Sequence, residues 1–369
     1  MLSLRPYNSI GAEEVEAAVA VIRRGPLSGF MGGERHGGYH VRALEEEMCA
    51  TFGSKYAVAC NSATSGLLIA SMACGVKRGT RVSVPALTMS ATAAAPAFLG
   101  ARIEFFDVDD KTFCQNGWYG GNGDVVITTN LFGHPARLHV MMQGTHAYII
   151  EDNAQGWMAR EGDKYAGTIG HIGVFSFNVH KHIQCGEGGI CLTDSRALAE
   201  HMAMDRNHGE LGGGPAGLNL RMTEVEAAIA LCQLRKGKRI VQERRHLAEQ
   251  MTHMVINYPG LVPPLVREGC DHAYYMWGLT IEKERDWFVG AMNKEGVPLR
   301  NGYVEPLYRL PAFEKYNARR PTAEHLQDVS LATFEICAYD PTNEQLRGMR
   351  DAFDKVGEAY VKRIREKAA

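Results

Sequence analysis

Gly173-Val174-Phe175-Ser176-Phe177 and Gly189-Ile190-Cys191-Leu192 enclose Asn178-Val179-His180-Lys181-His182 and the turn Gly186-Glu187-Gly188. Each flanking run is short and rich in β-branched or aromatic residues, and glycines punctuate the segment between them. Two strands joined through a lysine-bearing loop are predicted. A lysine set among aromatics and histidines is not placed like a solvated surface lysine. Desolvation and nearby cations lower an ammonium's pKa, and the neutral amine is the form that joins an aldehyde in a Schiff base.

Outward from this segment, similar runs at 56–60, 81–84, 103–106, 124–128 and 147–150 bring the predicted strands to seven. Helical periodicity falls around them at 12–23, 39–51, 65–74, 89–99 and 224–234. Continuous apolar strands separated by helices make a mainly parallel sheet covered on both faces. The fold class is therefore α/β, with a large domain over residues 1–245 built on a mainly parallel seven-stranded sheet. Past Gln242 the pattern changes to a charged helix at 244–254, the breakers Pro259-Gly260 and Pro263-Pro264, a strand at 274–281, and helices at 287–294 and 343–365. These elements describe a smaller α+β domain over residues 246–369.

The 369 residues are 45% hydrophobic and 22% charged, with a net charge of −2 and no block of like charges, so neither nucleic acid nor a membrane surface is expected as partner. No apolar run approaches the roughly 20 residues that span a bilayer. Met1-Leu2-Ser3-Leu4-Arg5 lacks the basic start and apolar core of a signal peptide, and a cytoplasmic protein is expected. Nine dispersed cysteines without a CxxC pair read as reduced, buried thiols. No cysteines or histidines have zinc-site spacing, so no metal is expected.

In a parallel sheet a ligand sits at the carboxyl ends of the strands. Cys60-Asn61-Ser62-Ala63-Thr64-Ser65-Gly66 follows a strand and opens a helix, where small residues let backbone N–H groups approach an anion. The same residues serve equally as an ordinary helix cap. Glu151-Asp152-Asn153-Ala154-Gln155 follows another strand. A carboxylate there is costly to bury without a cationic partner. A protonated pyridine nitrogen is one such partner, and the pair keeps the ring an electron sink; a helix cap or a metal ligand are the other uses open to Asp152. Anion loop, aspartate and lysine, in that order, suggest the ring-binding kit of a fold-type I pyridoxal-phosphate enzyme.

Those stretches, with Val84-Pro85-Ala86-Leu87-Thr88, Phe106-Asp107-Val108-Asp109 and Asn130-Leu131-Phe132-Gly133-His134-Pro135, resemble the DegT/DnrJ/EryC1/StrS family of sugar-nucleotide aminotransferases. The resemblance continues through Arg206-Asn207-His208-Gly209, Gly217-Leu218-Asn219-Leu220-Arg221-Met222-Thr223-Glu224 and Tyr303-Val304-Glu305-Pro306-Leu307-Tyr308, and so runs over nearly the whole chain. It implies that Lys181 carries pyridoxal 5'-phosphate covalently and moves the proton between substrate and cofactor. Asp152 would pair with the pyridine nitrogen, Gln155 would approach the ring hydroxyl, and Ala63, Thr64 and Ser176 would bind the phosphate. It also implies a homodimer in which Asn219 and Arg221 of the partner complete each site; capping of their own helix is the other reading of those two residues. Glu187, His208 and Tyr308 would border a sugar pocket built from loops such as 25–38 and 210–216. Two positions depart from the family pattern: Met89 stands where relatives stack an aromatic on the ring, and Tyr308 stands for a usual histidine.

The activity this implies is transfer of an amino group from glutamate or glutamine, by way of pyridoxamine 5'-phosphate, to a keto sugar, most often a nucleotide-linked 4-keto-6-deoxyhexose. Relatives that instead dehydrate keto sugars carry histidine in place of the lysine. A non-catalytic regulatory or scaffold member is the third reading, against which stand Asp152, Gln155, Ser176 and Lys181 together.

Overall fold

Valine, isoleucine and phenylalanine runs become strands where helices on either side can cover them. The computed structural model describes residues 2–30, 36–115, 124–143, 146–209, 217–316 and 318–367. The chain runs through α1 (Ala12–Arg24), α2 (Tyr39–Phe52), β1 (Tyr56–Cys60), α3 (Ala63–Ala73), β2 (Arg81–Pro85), α4 (Ala91–Phe98) and β3 (Arg102–Phe106). Then come β4 (Val125–Thr129), α5 (Leu138–Gln143), β5 (Tyr148–Asp152), the short pair β6 (Arg160–Glu161) and β7 (Lys164–Tyr165), β8 (Ile172–Ser176), β9 (Gly189–Thr193) and α6 (Arg196–Asp205). The remainder holds α7 (Glu224–Val255), β10 (Leu261–Val262), β11 (Cys270–Asp271), β12 (Trp277–Ile281), α8 (Arg285–Lys294), β13 (Arg300–Asn301), α9 (Pro321–His325), β14 (Leu331–Phe334) and α10 (Asn343–Glu366).

The central sheet has seven strands in the order β1-β9-β8-β5-β4-β2-β3. All are parallel except β9, which runs antiparallel to both β1 and β8. This is the expected mainly parallel α/β sheet, and β4 and β8 are buried along their whole length as a doubly covered strand must be. A four-stranded sheet, β10-β12-β14-β13, forms a separate layer nearer the C-terminus. It packs with α8 and α10 around Trp277, Phe288, Phe334 and Phe353.

Three readings of the elements change. The helices predicted at 224–234 and 244–254 are one helix, α7, of 32 residues. Gly237 in Arg235-Lys236-Gly237-Lys238 is no stop signal, because a Cβ there would lie 2.5 Å from Nε1 of Trp157. The glycine serves close packing, not chain reversal. Asn219 and Arg221 do not cap α7. Thr223 does, accepting from the Glu226 N–H while Glu226 reaches back to the Thr223 N–H. Finally, α6 and β14 form where no element was predicted. Among the described residues, no helix is long and apolar enough to cross a membrane.

Candidate active site

β1, β5 and β8 run parallel, so their carboxyl ends lie on one side of the sheet, and the three stretches singled out in the sequence follow those ends. Ser62 caps α3 by accepting from the Ser65 N–H at 3.1 Å. Its hydroxyl donates to Ser65 Oγ, which donates to Asn61 Oδ1. With Ser62 and Ser65 thus occupied, Ala63 and Thr64 open the helix with first-turn N–H groups that lack intrahelical acceptors. Gly189 of β9 lies opposite both Cys60 and Ser176 in register, so it carries Ser176 across to the start of α3. A Cβ at Gly189 would fall 2.5 Å from the carbonyl carbon of Ser62 and 2.6 Å from the Ala63 nitrogen. Only glycine permits that approach. Helix start, Ser176 and a bare glycine come together in a candidate anion cradle.

Asp152, the last residue of β5, is 5% exposed. Its Oδ2 accepts from the Thr92 hydroxyl at 2.7 Å and its Oδ1 from the Ala154 N–H at 3.2 Å. Burial pushes its carboxyl pKa up, while Thr92, Ala154 and the charge of Lys181 pull it down. Beside it, Glu151 accepts from the N–H groups of Gly167, Ile169 and Gly170 and from the Asn130 amide. Those bonds fix the end of β5, so that Asp152 is aimed by backbone rather than by chance.

Lys181 lies in the turn after β8, its N–H bonded to the Asn178 carbonyl. Its Nζ sits 4.4 Å from the centroid of the Tyr275 ring. Burial lowers its pKa, and Asp152 works in the opposite direction. The neighbouring histidines do different things. His182 donates from Nε2 to the Ala273 carbonyl at 2.9 Å, and burial drives its pKa down to about 3, so it stays neutral. His180 is exposed.

Gln155 is held in one orientation. Its Oε1 accepts from the Phe132 N–H at 2.7 Å and its Nε2 donates to the Tyr303 hydroxyl at 2.8 Å. Tyr303 and Tyr275 arrive from beyond residue 270, and sequence reading singled out neither as a site residue. A tyrosine that meets its partner across most of a hundred positions, as Tyr275 meets Lys181, or across 148, as Tyr303 meets Gln155, has no local spacing to reveal it. Thr92 was equally unmarked, standing in a helix otherwise made of alanine, proline and phenylalanine.

The remaining expected residues scatter around this centre. Met89 is 53% exposed just before α4. Asn219 is exposed and pairs by backbone with Asn207, and Arg221 donates to the Asn207 side chain at 2.7 Å. Leu220 accepts from the Asn61 N–H, so this loop lies beside the anion cradle of its own chain. Glu187 is exposed and accepts from the Asn178 amide at 2.9 Å. His208 is exposed with φ 63°. Tyr308 is buried, its hydroxyl donating to Glu324 and accepting from the Arg320 N–H, with its ring edge-on to Phe105 of β3. Positions 31–35 and 210–216 of the expected pocket loops lie outside the described residues.

This arrangement has relatives. GDP-perosamine synthase of Escherichia coli O157:H7 is 26% identical over 321 residues, covering 80% of this chain and 85% of that protein. The spore coat polysaccharide biosynthesis protein SpsC of Bacillus subtilis is 26% identical over 382 residues, covering 94% and 96%. Among solved structures, GDP-4-keto-6-deoxymannose-3-dehydratase with a trapped PLP-glutamate geminal diamine superposes with a TM-score of 0.82 at 23% identity, over 95% of this chain and all of that one. That likeness establishes the fold. A model of the DegT/DnrJ/EryC1/StrS aminotransferase family matches residues 10–343. The chain, matched over nine-tenths of its length, belongs to the DegT/DnrJ/EryC1/StrS aminotransferase family.

Proposed function

We propose that the protein is a pyridoxal-phosphate aminotransferase that takes an amino group from glutamate and gives it to a nucleotide-linked keto sugar, a 4-keto-6-deoxyhexose. The observation that carries the cofactor reading is the convergence of an amine, a carboxylate and an anion cradle at the carboxyl ends of β8, its neighbour β5, and β1 beyond β9. The donor set fits pyridoxal phosphate on its own chemistry. Asp152 is a buried carboxylate whose neighbours favour its charge, which suits a pyridinium N–H. The cradle that a Cβ at Gly189 would fill suits a phosphate. When bound, the cofactor supplies an aldehyde and a ring that stores the electron pair released as a C–H bond beside nitrogen breaks.

The chain's own residues do the rest. Lys181 offers a nucleophilic amine because burial favours its neutral form, and once released by substrate it can carry a proton between neighbouring carbons. Gln155 gives one amide hydrogen to Tyr303, which leaves the second for the ring oxygen. Ser176 and the first turn of α3 take the phosphate. Asn219 and Arg221, in a loop whose tip Leu218 is 42% exposed, reach the partner's cofactor in a homodimer. We take the chain as two units that part near residue 245 inside α7, since Leu247 to Val255 pack with the C-terminal sheet and Ala227 to Val241 with the central one.

Glutamate as donor and a nucleotide sugar as acceptor agree with what the names of the relatives record for those proteins. Dehydration of the keto sugar is the weaker reading, because Lys181 stands where a dehydratase of this family would carry histidine. The test is reconstitution with pyridoxal phosphate, then incubation with glutamate and a panel of nucleotide-linked keto sugars, read by mass spectrometry. An amino sugar formed with one equivalent of 2-oxoglutarate supports the proposal. A deoxy sugar without nitrogen, or no product across the panel, overturns it.

A further inference from the structure

Behind Asp152, three buried threonines form a chain from the end of β4 through the loop after β2 to the first turn of α4. Thr92 Oγ1 donates to Asp152 Oδ2 at 2.7 Å. Thr88 Oγ1 lies 3.0 Å from Thr92 Oγ1, and Thr129 Oγ1 lies 3.1 Å from Thr88 Oγ1. A hydroxyl has one proton. Having given its own to Asp152, Thr92 can only accept from Thr88, and Thr88 can then only accept from Thr129. All three O–H dipoles point toward the carboxylate.

The chain is a product of the fold. Thr129 ends β4 directly opposite Asp152 at the end of β5. Thr88 follows β2, the next strand over, and Thr92 lies in the first turn of α4. Thr88, Thr92 and Thr129 are 1%, 0% and 5% exposed. Thr92 is the one polar residue of α4, whose other members are alanine, proline and phenylalanine. A β-branched hydroxyl is a poor helix former, and burying it where alanine would serve carries a cost unless the hydroxyl has a use.

We infer that Thr92 is a positioning residue of the reaction: fed by Thr88 and Thr129, it keeps Asp152 a weak base, and so keeps the shared proton on the ring nitrogen of the cofactor. This rests on the pyridoxal-phosphate reading. In a dry site an aspartate and a pyridine compete for one proton, and a neutral pair avoids burying two charges. Hydrogen bonds donated to the carboxylate tip that balance toward the ion pair, because an ionised carboxylate only accepts. Burial raises the Asp152 pKa and the Thr92 bond is the largest influence lowering it, which agrees with the geometry. Thr88 acts one bond further out and strengthens the Thr92 donor by polarising it.

The experiment loads wild type, Thr92→Val, Thr92→Ser and Asp152→Asn with pyridoxal phosphate labelled at the ring nitrogen, and reads that nitrogen by NMR beside turnover. Valine keeps the shape and removes only the hydroxyl. We expect a protonated ring in wild type, a shift toward the neutral ring in Thr92→Val with turnover about tenfold to a hundredfold lower, and return of both in Thr92→Ser. Adding Thr92→Val to Asp152→Asn should change neither readout further. A folded Thr92→Val that keeps the wild-type nitrogen signal overturns this inference alone, as does a loss that Thr92→Ser fails to restore. Wild-type protein that takes up no pyridoxal phosphate overturns the cofactor reading and this inference with it.

Discussion

Lys181 is an amine made reactive by where it sits. Burial lowers its pKa, so the neutral, nucleophilic fraction rises at lower pH than on a solvated lysine. The initial rate at which the apoprotein attaches pyridoxal phosphate should therefore climb and level off below the ordinary lysine range near pH 10.4. A rate still rising through that range would contradict the burial argument. Lys181→Ala should remove borohydride-fixable cofactor and turnover while leaving the fold intact, since no side-chain hydrogen bond or ion pair of the described residues ends on Nζ. Substantial transamination by that variant would identify another nucleophile. Asp152→Asn should keep some cofactor but lose about three orders of magnitude in turnover, because an amide does not hold a proton on a ring nitrogen. Lysine and aspartate were both singled out in the sequence because Asp152 ends a strand and Lys181 lies in the turn just after one, and strand ends in a parallel sheet are places of known use. Thr92, Tyr275 and Tyr303 were not legible. They reach the site through contacts between strands or across the chain, and no periodicity encodes such contacts.

At the scale of elements, the seven strands of the central sheet were read to within a few residues because the doubly buried ones must be apolar throughout. The helices went wrong at α7, which was read as two pieces, 224–234 and 244–254; Gly237, in the gap between them, is the notch for Trp157. Gly189 has the same character at the cradle. Gly189→Ala should destabilise by about 1–3 kcal/mol through overpacking and weaken pyridoxal phosphate binding with it, as thermal melts and a cofactor titration would read. Gly290, exposed in α8 with nothing within 4 Å of its missing Cβ, is the matched control. Its alanine variant should gain about 0.5–1 kcal/mol. If both variants melt alike, the close approach of β9 to α3 is not what the glycine is for. The loop before α7 carries the dimer proposal. Mixing Lys181→Ala with the double variant Asn219→Ala/Arg221→Ala should regenerate, in mixed dimers, one site carrying both lesions and one carrying neither. Activity returning toward half that of a wild-type dimer supports shared sites; none after verified subunit exchange refutes them.

Across the whole molecule, His134 is one of the residues that tie the C-terminal part to the central sheet. His134 Nδ1 donates to the Pro135 carbonyl while Nε2 accepts from the Arg267 N–H, and burial, helped by the Arg267 charge, lowers its pKa to about 4. Its folded value lies below its unfolded value near 6.5, so it contributes stability that is complete above pH 6.5 and is lost as pH falls toward 4. His134→Gln removes that proton uptake. The stability gap between wild type and this variant should narrow by about 2 kcal/mol from pH 7 to pH 5, measured by denaturant unfolding at each pH. A gap independent of pH would mean that His134 is not held neutral by the fold.

The uninterrupted α7 also bears on how such proteins can be recombined. One helix seats its first half in the central core and its second half in the C-terminal core. Each residue of an α-helix turns about 100° and advances about 1.5 Å, so the two cores are phased like parts keyed to one shaft. A deletion or insertion of a single residue between Val241 and Leu247 would swing the C-terminal sheet by more than a quarter turn and carry Tyr303 away from Gln155. Grafts between family members at this helix must therefore preserve its residue count, whatever the sequence of the linker.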